Sequence, residues 1–109
     1  MKLDNTKAQM RKGILELCIL QLLSRKSAYA SEIIAALKAQ ELIIVEGTLY
    51  PLLTRLKNDG LLEYRWEESS SGPPRKYYSL TQAGNTARQE LQNTWRQLAQ
   101  AVDATQQNP

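Results

Sequence analysis

From Met10 onward the apolar positions crowd together: Ile14, Leu15, Leu17, Cys18, Ile19, Leu20, Leu22 and Leu23, interrupted only by Glu16 and Gln21. On a helix these positions cover nearly the whole circumference. Such a helix must be buried on more than one side, one against the chain's own core and the other against a partner. Ser24-Arg25-Lys26-Ser27 is a polar break, and Ser27 or Ser31 is placed to cap the next helix. Ile33, Ile34 and Leu37 predict that helix near 29–40, apolar on one side, and the short β-branched run Leu42–Val45 predicts an extended connector.

A third helix is predicted over 47–59. Leu49, Leu52, Leu53 and Leu56 make its inward face, while Thr48, Tyr50, Pro51, Thr54, Arg55 and Lys57 point outward. Pro51 is tolerable in a first turn, which sets the start near Gly47, and Gly60 is a natural stop. Alternation from Leu62 to Trp66 predicts a strand, Glu67–Gly72 a serine-rich turn stiffened by Pro73 and Pro74, and Lys76–Leu80 the return strand. Tyr77 and Tyr78 fall on opposite faces, one toward the core and one exposed. Thr81 caps a last helix, Gln82 to Ala104, whose stripe is Ala83, Ala87, Leu91, Trp95, Leu98 and Val102. About 23 residues extend roughly 34 Å, which would overhang a small domain and calls for a partner.

A short helix running through a glycine into a strand, a basic loop and a return strand together make a winged helix-turn-helix. The fold class is therefore mainly α with a small β-hairpin, plus a long C-terminal dimerisation helix. The divisions are a flexible segment over 1–9, a DNA-binding domain over 10–81, the dimerisation helix over 82–104 and a flexible tail over 105–109. With 109 residues there is room for one core, and so short a chain benefits from pairing. The net charge of +3 is only mildly basic. Residues 1–45 carry seven Lys or Arg against four Asp or Glu, and residues 46–80 five of each, so local placement must make any DNA footprint.

The chain has no histidine, which removes the commonest general base and a principal transition-metal ligand. No catalytic set, zinc spacing or phosphate loop can be assembled, so neither enzyme activity, metal nor cofactor is expected. One cysteine, Cys18, forbids an intrachain disulfide and reads as a small buried thiol. The apolar run Ile14–Leu23 is too short and too polar to span a bilayer, so no membrane partner is expected. Met1–Thr6 lacks the apolar core of a signal peptide, and the expected location is cytoplasmic.

Several motifs in this frame resemble the PadR family of bacterial transcriptional regulators. They are Glu46-Gly47-Thr48-Leu49-Tyr50-Pro51-Leu52-Leu53, Arg55-Leu56, Asp59-Gly60-Leu61 and Gly72-Pro73-Pro74-Arg75-Lys76-Tyr77-Tyr78, with Lys12-Gly13 ahead of the first apolar helix. The resemblance covers about residues 10–104, and a single C-terminal helix is similar to the short, multidrug-sensing branch. It implies a homodimeric repressor whose two recognition helices and two wings grip an inverted repeat in double-stranded DNA. It also implies a dimer made by the first and last helices, and a small aromatic effector that releases the operator.

The candidate DNA-binding residues are Thr48, Tyr50, Thr54, Arg55 and Lys57 on the recognition helix, Arg75 and Lys76 on the wing, and Lys12; Lys7 and Arg11 are secondary. A major groove admits one helix, whose exposed side chains reach phosphates and base edges. The alternative is a solvated polar face on a winged helix that binds protein or serves as a scaffold. Dimerisation candidates are Leu15, Cys18, Ile19, Leu91, Trp95, Leu98 and Val102. In the drug-sensing relatives a tryptophan matching Trp95 stacks on flat ligands, which makes Trp95, with Leu91 and Leu98, the candidate effector site. Otherwise Trp95 fills the dimer core. Arg96 is adjacent to Trp95, no acidic residue near it is placed to pair with a cation, and Asp103 is two turns away, which suits a neutral or anionic aromatic better than a strongly cationic one.

Overall fold

The computed structural model describes residues 2–107. The elements run α1 (Leu3–Arg25), α2 (Ala30–Ala39), α3 (Glu46–Asn58), β1 (Leu62–Ser69), β2 (Gly72–Leu80) and α4 (Gln82–Gln107). β1 and β2 form a two-stranded antiparallel hairpin, the wing. The chain is a winged helix-turn-helix extended by one long helix. Its core gathers Ile19, Leu20 and Leu23 of α1, Ile33 and Leu37 of α2, Leu49, Leu53 and Leu56 of α3, and Leu62 and Tyr78 of the wing.

Helix ends explain the local turns. Asp59 closes α3, Gly60 takes a left-handed φ of 80°, and the Leu61 N–H bonds back to the Leu56 carbonyl at 3.0 Å. That paired closure satisfies the last carbonyls of the helix and swings the chain into β1. The end of α2 closes in the same way on Glu41, at φ 62°, although a side chain there is strained. Thr81 caps α4 as expected: its hydroxyl accepts from the Gly84 N–H at 2.9 Å and donates to the Gly60 carbonyl at 2.7 Å. A Cβ on Gly84 would lie 2.0 Å from the Leu61 carbonyl oxygen, so α4 can dock on the α3–β1 turn only because this residue is glycine.

Several boundaries differ from those read in the sequence. α1 begins at Leu3, so residues 3–9 are helical although they are polar and exposed. α4 runs on to Gln107, which puts residues 105–107 of the expected tail in the helix; Asn108 and Pro109 lie outside the described residues. Neither Ser27 nor Ser31 caps α2. Tyr29 occupies the cap position, and the Glu32 carboxylate accepts its N–H at 3.2 Å. Pro51 lies in the second turn of α3 rather than the first. The carbonyl it cannot serve is that of Gly47, an exposed residue that water can reach.

The hairpin turn is also tighter than expected, with both strands reaching further toward the tip. Ser69 pairs with Gly72, Glu67 pairs with Arg75, and the register shifts between them. Pro73 and Pro74 lie inside β2 at this irregularity. A two-stranded ribbon consists only of edges, so strand prolines that donate nothing are tolerated there. Tyr78 is the core member of the tyrosine pair, but Tyr77 is half-buried rather than exposed, its ring edge-on to Tyr29 with centroids 5.1 Å apart.

α4 leaves the core early. After Ala87 its stripe runs along α1, tied there by a 2.6 Å hydrogen bond from the Gln21 side-chain Nε2 to the Gln92 side-chain Oε1. The radius of gyration is 16.0 Å, against roughly 13 Å for a compact domain of about 100 residues. The difference is the overhang of α4 and of the start of α1.

Candidate nucleic-acid interface

The outward side of α3 presents Thr48, Tyr50, Thr54, Arg55 and Lys57, all exposed, as the apolar spacing requires. These residues do not form one patch. Near the start of α3, Thr48 and Arg55 share a groove of about 540 Å³ with Arg11 and Lys12 of α1. Arg55 is ion-paired there with Glu16. Toward the end of α3, Thr54, Lys57 and Asn58 face the wing across a recess of about 100 Å³ closed by Tyr64, Lys76 and Tyr78.

The wing splits its two cations. Side chains alternate along β2, so Arg75 and Lys76 take opposite faces. The Arg75 guanidinium lies 4.3 Å from the Tyr29 ring centroid, at the start of α2. The Lys76 ammonium lies 4.5 Å from the Tyr64 ring and 5.3 Å from the Trp66 ring, on the side that faces α3. Lys57 approaches the same Tyr64 ring at 5.9 Å. Cation–π contacts at such distances are worth about 0.5–1 kcal/mol where exposed, enough to bias long side chains toward one orientation. Glu67, across from Arg75 in register, is engaged by Arg65 at 2.7 Å.

Tyr78 completes this corner. Burial raises its phenol above the ordinary 10.0, and the nearby Tyr50 and Tyr64 phenols push it the same way. The phenol therefore stays protonated at neutral pH. Tyr29, Asn58, Tyr64 and Glu16 were not singled out in the sequence. Only Glu16 carried a signal there, as a charge inside an apolar run.

Architecture and motif here have a match among known proteins. Residues 19–90 fit the model of the transcriptional regulator PadR-like family. The chain belongs to the PadR-like family. A PadR-like transcription factor from Bacteroides fragilis is 58% identical, with a TM-score of 0.78, over 93% of this chain and 98% of that one. A PadR family transcriptional regulator from Eggerthella lenta is 31% identical with a TM-score of 0.90, covering 98% and 94% of the two chains. A PadR-like transcriptional regulator from Bacillus cereus is 35% identical with a TM-score of 0.80, covering 93% and 99%. This PadR-like protein is thus a transcriptional regulator of a DNA-binding class, not a member of an enzyme family. No helix among its described residues is long and apolar enough to cross a membrane.

Away from the wing, this regulator has a second candidate site. Leu91, Thr94, Trp95 and Leu98 of α4 and Met10, Gly13, Ile14 and Leu17 of α1 line a cavity of about 290 Å³. The three effector candidates, Leu91, Trp95 and Leu98, are brought together in it. Among the described residues no charged side chain lines it, so the lining is apolar apart from Thr94.

The candidate dimer residues divide. Leu91, Trp95, Leu98 and Val102 are 38–65% exposed, an apolar stripe only partly covered by α1 in the single chain. Leu15 and Cys18 are half-buried. Ile19 must be corrected: it is 0% exposed, sealed in the chain's own core, and has no surface left to give a partner. The all-round apolar pattern of α1 concealed which of its sides each residue takes.

Proposed function

We propose that this protein is a homodimeric repressor that grips an inverted-repeat operator through α3 and the wing, and lets go when a flat aromatic compound binds beside Trp95. The observation that carries the DNA reading is the convergence of Lys57 and Lys76, from different elements, on one recess that no carboxylate among the described residues lines. Thr48 and Tyr50 supply neutral donors for phosphate, and the Tyr50 ring suits a thymine methyl. Dimerisation is supported by the partly exposed stripe on α4 and by Met10 of α1, which is 69% exposed. A second copy laid antiparallel across these helices would bury both. Two Trp95 rings at an interface between helices would make stacking walls for a planar ligand. The lining favours a neutral aromatic, because a charged group would lose its hydration there without gaining a partner.

The test is a gel-shift titration against the inverted repeat upstream of the protein's own gene, repeated from 50 to 200 mM salt, with sedimentation of the free protein at micromolar concentration. A dimer and an affinity that falls steeply with salt are expected, because phosphate contacts release counterions. A stable folded monomer, or binding insensitive to salt, would point to a protein-interaction module instead.

A further inference from the structure

The recess between α3 and the wing has the chemistry of a particular ligand. Lys57 and Lys76 both lie over the Tyr64 ring, so two like charges approach one small space. Among the described residues, neither is ion-paired; the carboxylates that are paired engage Arg55 and Arg65. The remaining lining is neutral: Thr54, Asn58, Tyr64 and Tyr78. The carbonyls of Arg55, Leu56 and Lys57 near the end of α3 are already bonded to the N–H groups of Asp59, Leu61 and Gly60, which reduces the bare negative charge beside it. The volume, about 100 Å³, is some three times the ~30 Å³ that one water occupies in the liquid. Among the described residues the recess therefore gathers two cations and no carboxylate, and its size suits a tetrahedral oxyanion.

We infer that this recess seats a single phosphodiester of the DNA backbone, clamped between Lys57 of the recognition helix and Lys76 of the wing, with Thr54 and Asn58 as neutral donors. The inference rests on the DNA-binding reading and sharpens it. Lys76 acts midway along the wing, on the α3 side, and not together with Arg75. Asn58 becomes a binding residue. Tyr64 is a positioning residue, its ring holding both ammonium groups at the mouth of the recess. A seated phosphate sets the register of α3 in the groove while reading no sequence itself.

The experiment compares Lys57→Gln, Lys76→Gln, Asn58→Asp and Arg75→Ala with wild type, by fluorescence anisotropy on the operator duplex and on an unrelated duplex, across 50–200 mM salt. Lys57 and Asn58 are exposed, and thermal melts matched to wild type establish that the variants are folded. Each glutamine variant is expected to lower the log–log salt slope by about one unit per subunit and to weaken both duplexes by the same factor. Asn58→Asp, which puts a carboxylate in the seat, should weaken both further. A loss confined to the operator would mean base readout and would overturn the seat. So would folded Lys57→Gln and Asn58→Asp proteins that bind as wild type while Arg75→Ala binds weakly; the DNA reading then survives without it. If wild type binds neither duplex, both fall. A parallel amide-shift titration separates the phosphate sources: duplex DNA should move the Lys57, Asn58 and Lys76 signals at micromolar concentration. Shifts with inorganic phosphate but none with duplex would make this a small-anion site and overturn the inference.

Discussion

The Arg55 guanidinium of α3 is ion-paired with the Glu16 carboxylate of α1. The pair joins the helix that lines the Trp95 cavity to the helix offered to DNA. On the proposed DNA reading, Glu16 competes with a phosphate for Arg55. Both side chains are partly exposed, so the pair itself is worth only about 0.2–1 kcal/mol. Glu16→Gln should therefore leave stability nearly unchanged while freeing Arg55. The expected result is a modest gain in DNA affinity, below about fivefold, and a salt slope steeper by about one unit per subunit. Weaker binding in this variant would show that Glu16 orients Arg55 for DNA rather than withholding it.

The two polar interruptions in the apolar run of α1 show what the sequence could and could not say. Glu16 and Gln21 were legible as breaks, yet each has a specific partner on another helix, Arg55 and Gln92. Spacing reveals which face of a helix is apolar; it does not reveal which neighbour a polar residue meets. The same limit hid Ile19, whose apolar neighbours run all round the helix. Local chemistry was more readable. The Gly60 stop and the Thr81 cap arise from one residue's conformational or hydrogen-bonding needs, and both stand. The start of α1 was invisible because residues 3–9 bury nothing and so carry no period. The recess at the wing was invisible because Asn58, Tyr64 and Lys76 meet only through the packing of α3 on the hairpin.

Gly84 makes a sharp test of how α4 is docked. An added methyl would collide with the Leu61 backbone carbonyl, and the Leu80 side chain is also within 2.9 Å. Backbone cannot step aside as a flexible side chain can. Gly84→Ala, which raises helix propensity, should nonetheless destabilise the protein by about 1–3 kcal/mol, seen as a lower denaturant midpoint. A neutral or stabilising outcome would mean that α4 is free to shift on the turn.

Glu41 offers the opposite opportunity. It holds a left-handed φ of 62° at the end of α2, where a side chain costs roughly 1–2 kcal/mol. Glu41→Gly should stabilise the protein by up to about 1 kcal/mol after the entropy that glycine loses on folding. A rise in melting temperature of several degrees is then expected for a chain of about 100 residues. No rise would show that the strain is relieved elsewhere.

Alkaline stability should depend on Cys18. Burial raises its thiol above the ordinary 9.0, and Tyr78 is raised above 10.0 by burial and then by Tyr50 and Tyr64. In the unfolded chain both ionise at their ordinary values, so as pH climbs past about 9 the unfolded state holds fewer protons than the native one. Stability contributed below that value is then lost as pH rises through the folded values. Melts between pH 8 and 10 should decline first through Cys18. In Cys18→Ala the decline should start later, and an unchanged profile would assign it to other groups.

Trp95 carries the effector prediction. Its ring is 43% exposed on the wall of the cavity shared by α1 and α4, so a planar compound could quench it directly. Trp66 lies on the wing, stacked edge-on to Tyr64 at 6.3 Å, and should not respond unless the wing moves. Fluorescence titrations with neutral planar dyes and phenolic acids should show quenching in wild type that is lost in Trp95→Ala. Neutral compounds should bind better than anionic ones, given the uncharged lining. Coupling requires only that ligand and operator favour different settings of α1 against α3, and the Glu16–Arg55 pair spans that joint. Linkage then demands reciprocity: whatever factor the ligand removes from DNA affinity, saturating operator must remove from ligand affinity. Glu16→Gln should shrink that factor without abolishing quenching. Quenching with no change in DNA affinity would leave Trp95 a dimer-core residue that happens to accept a dye.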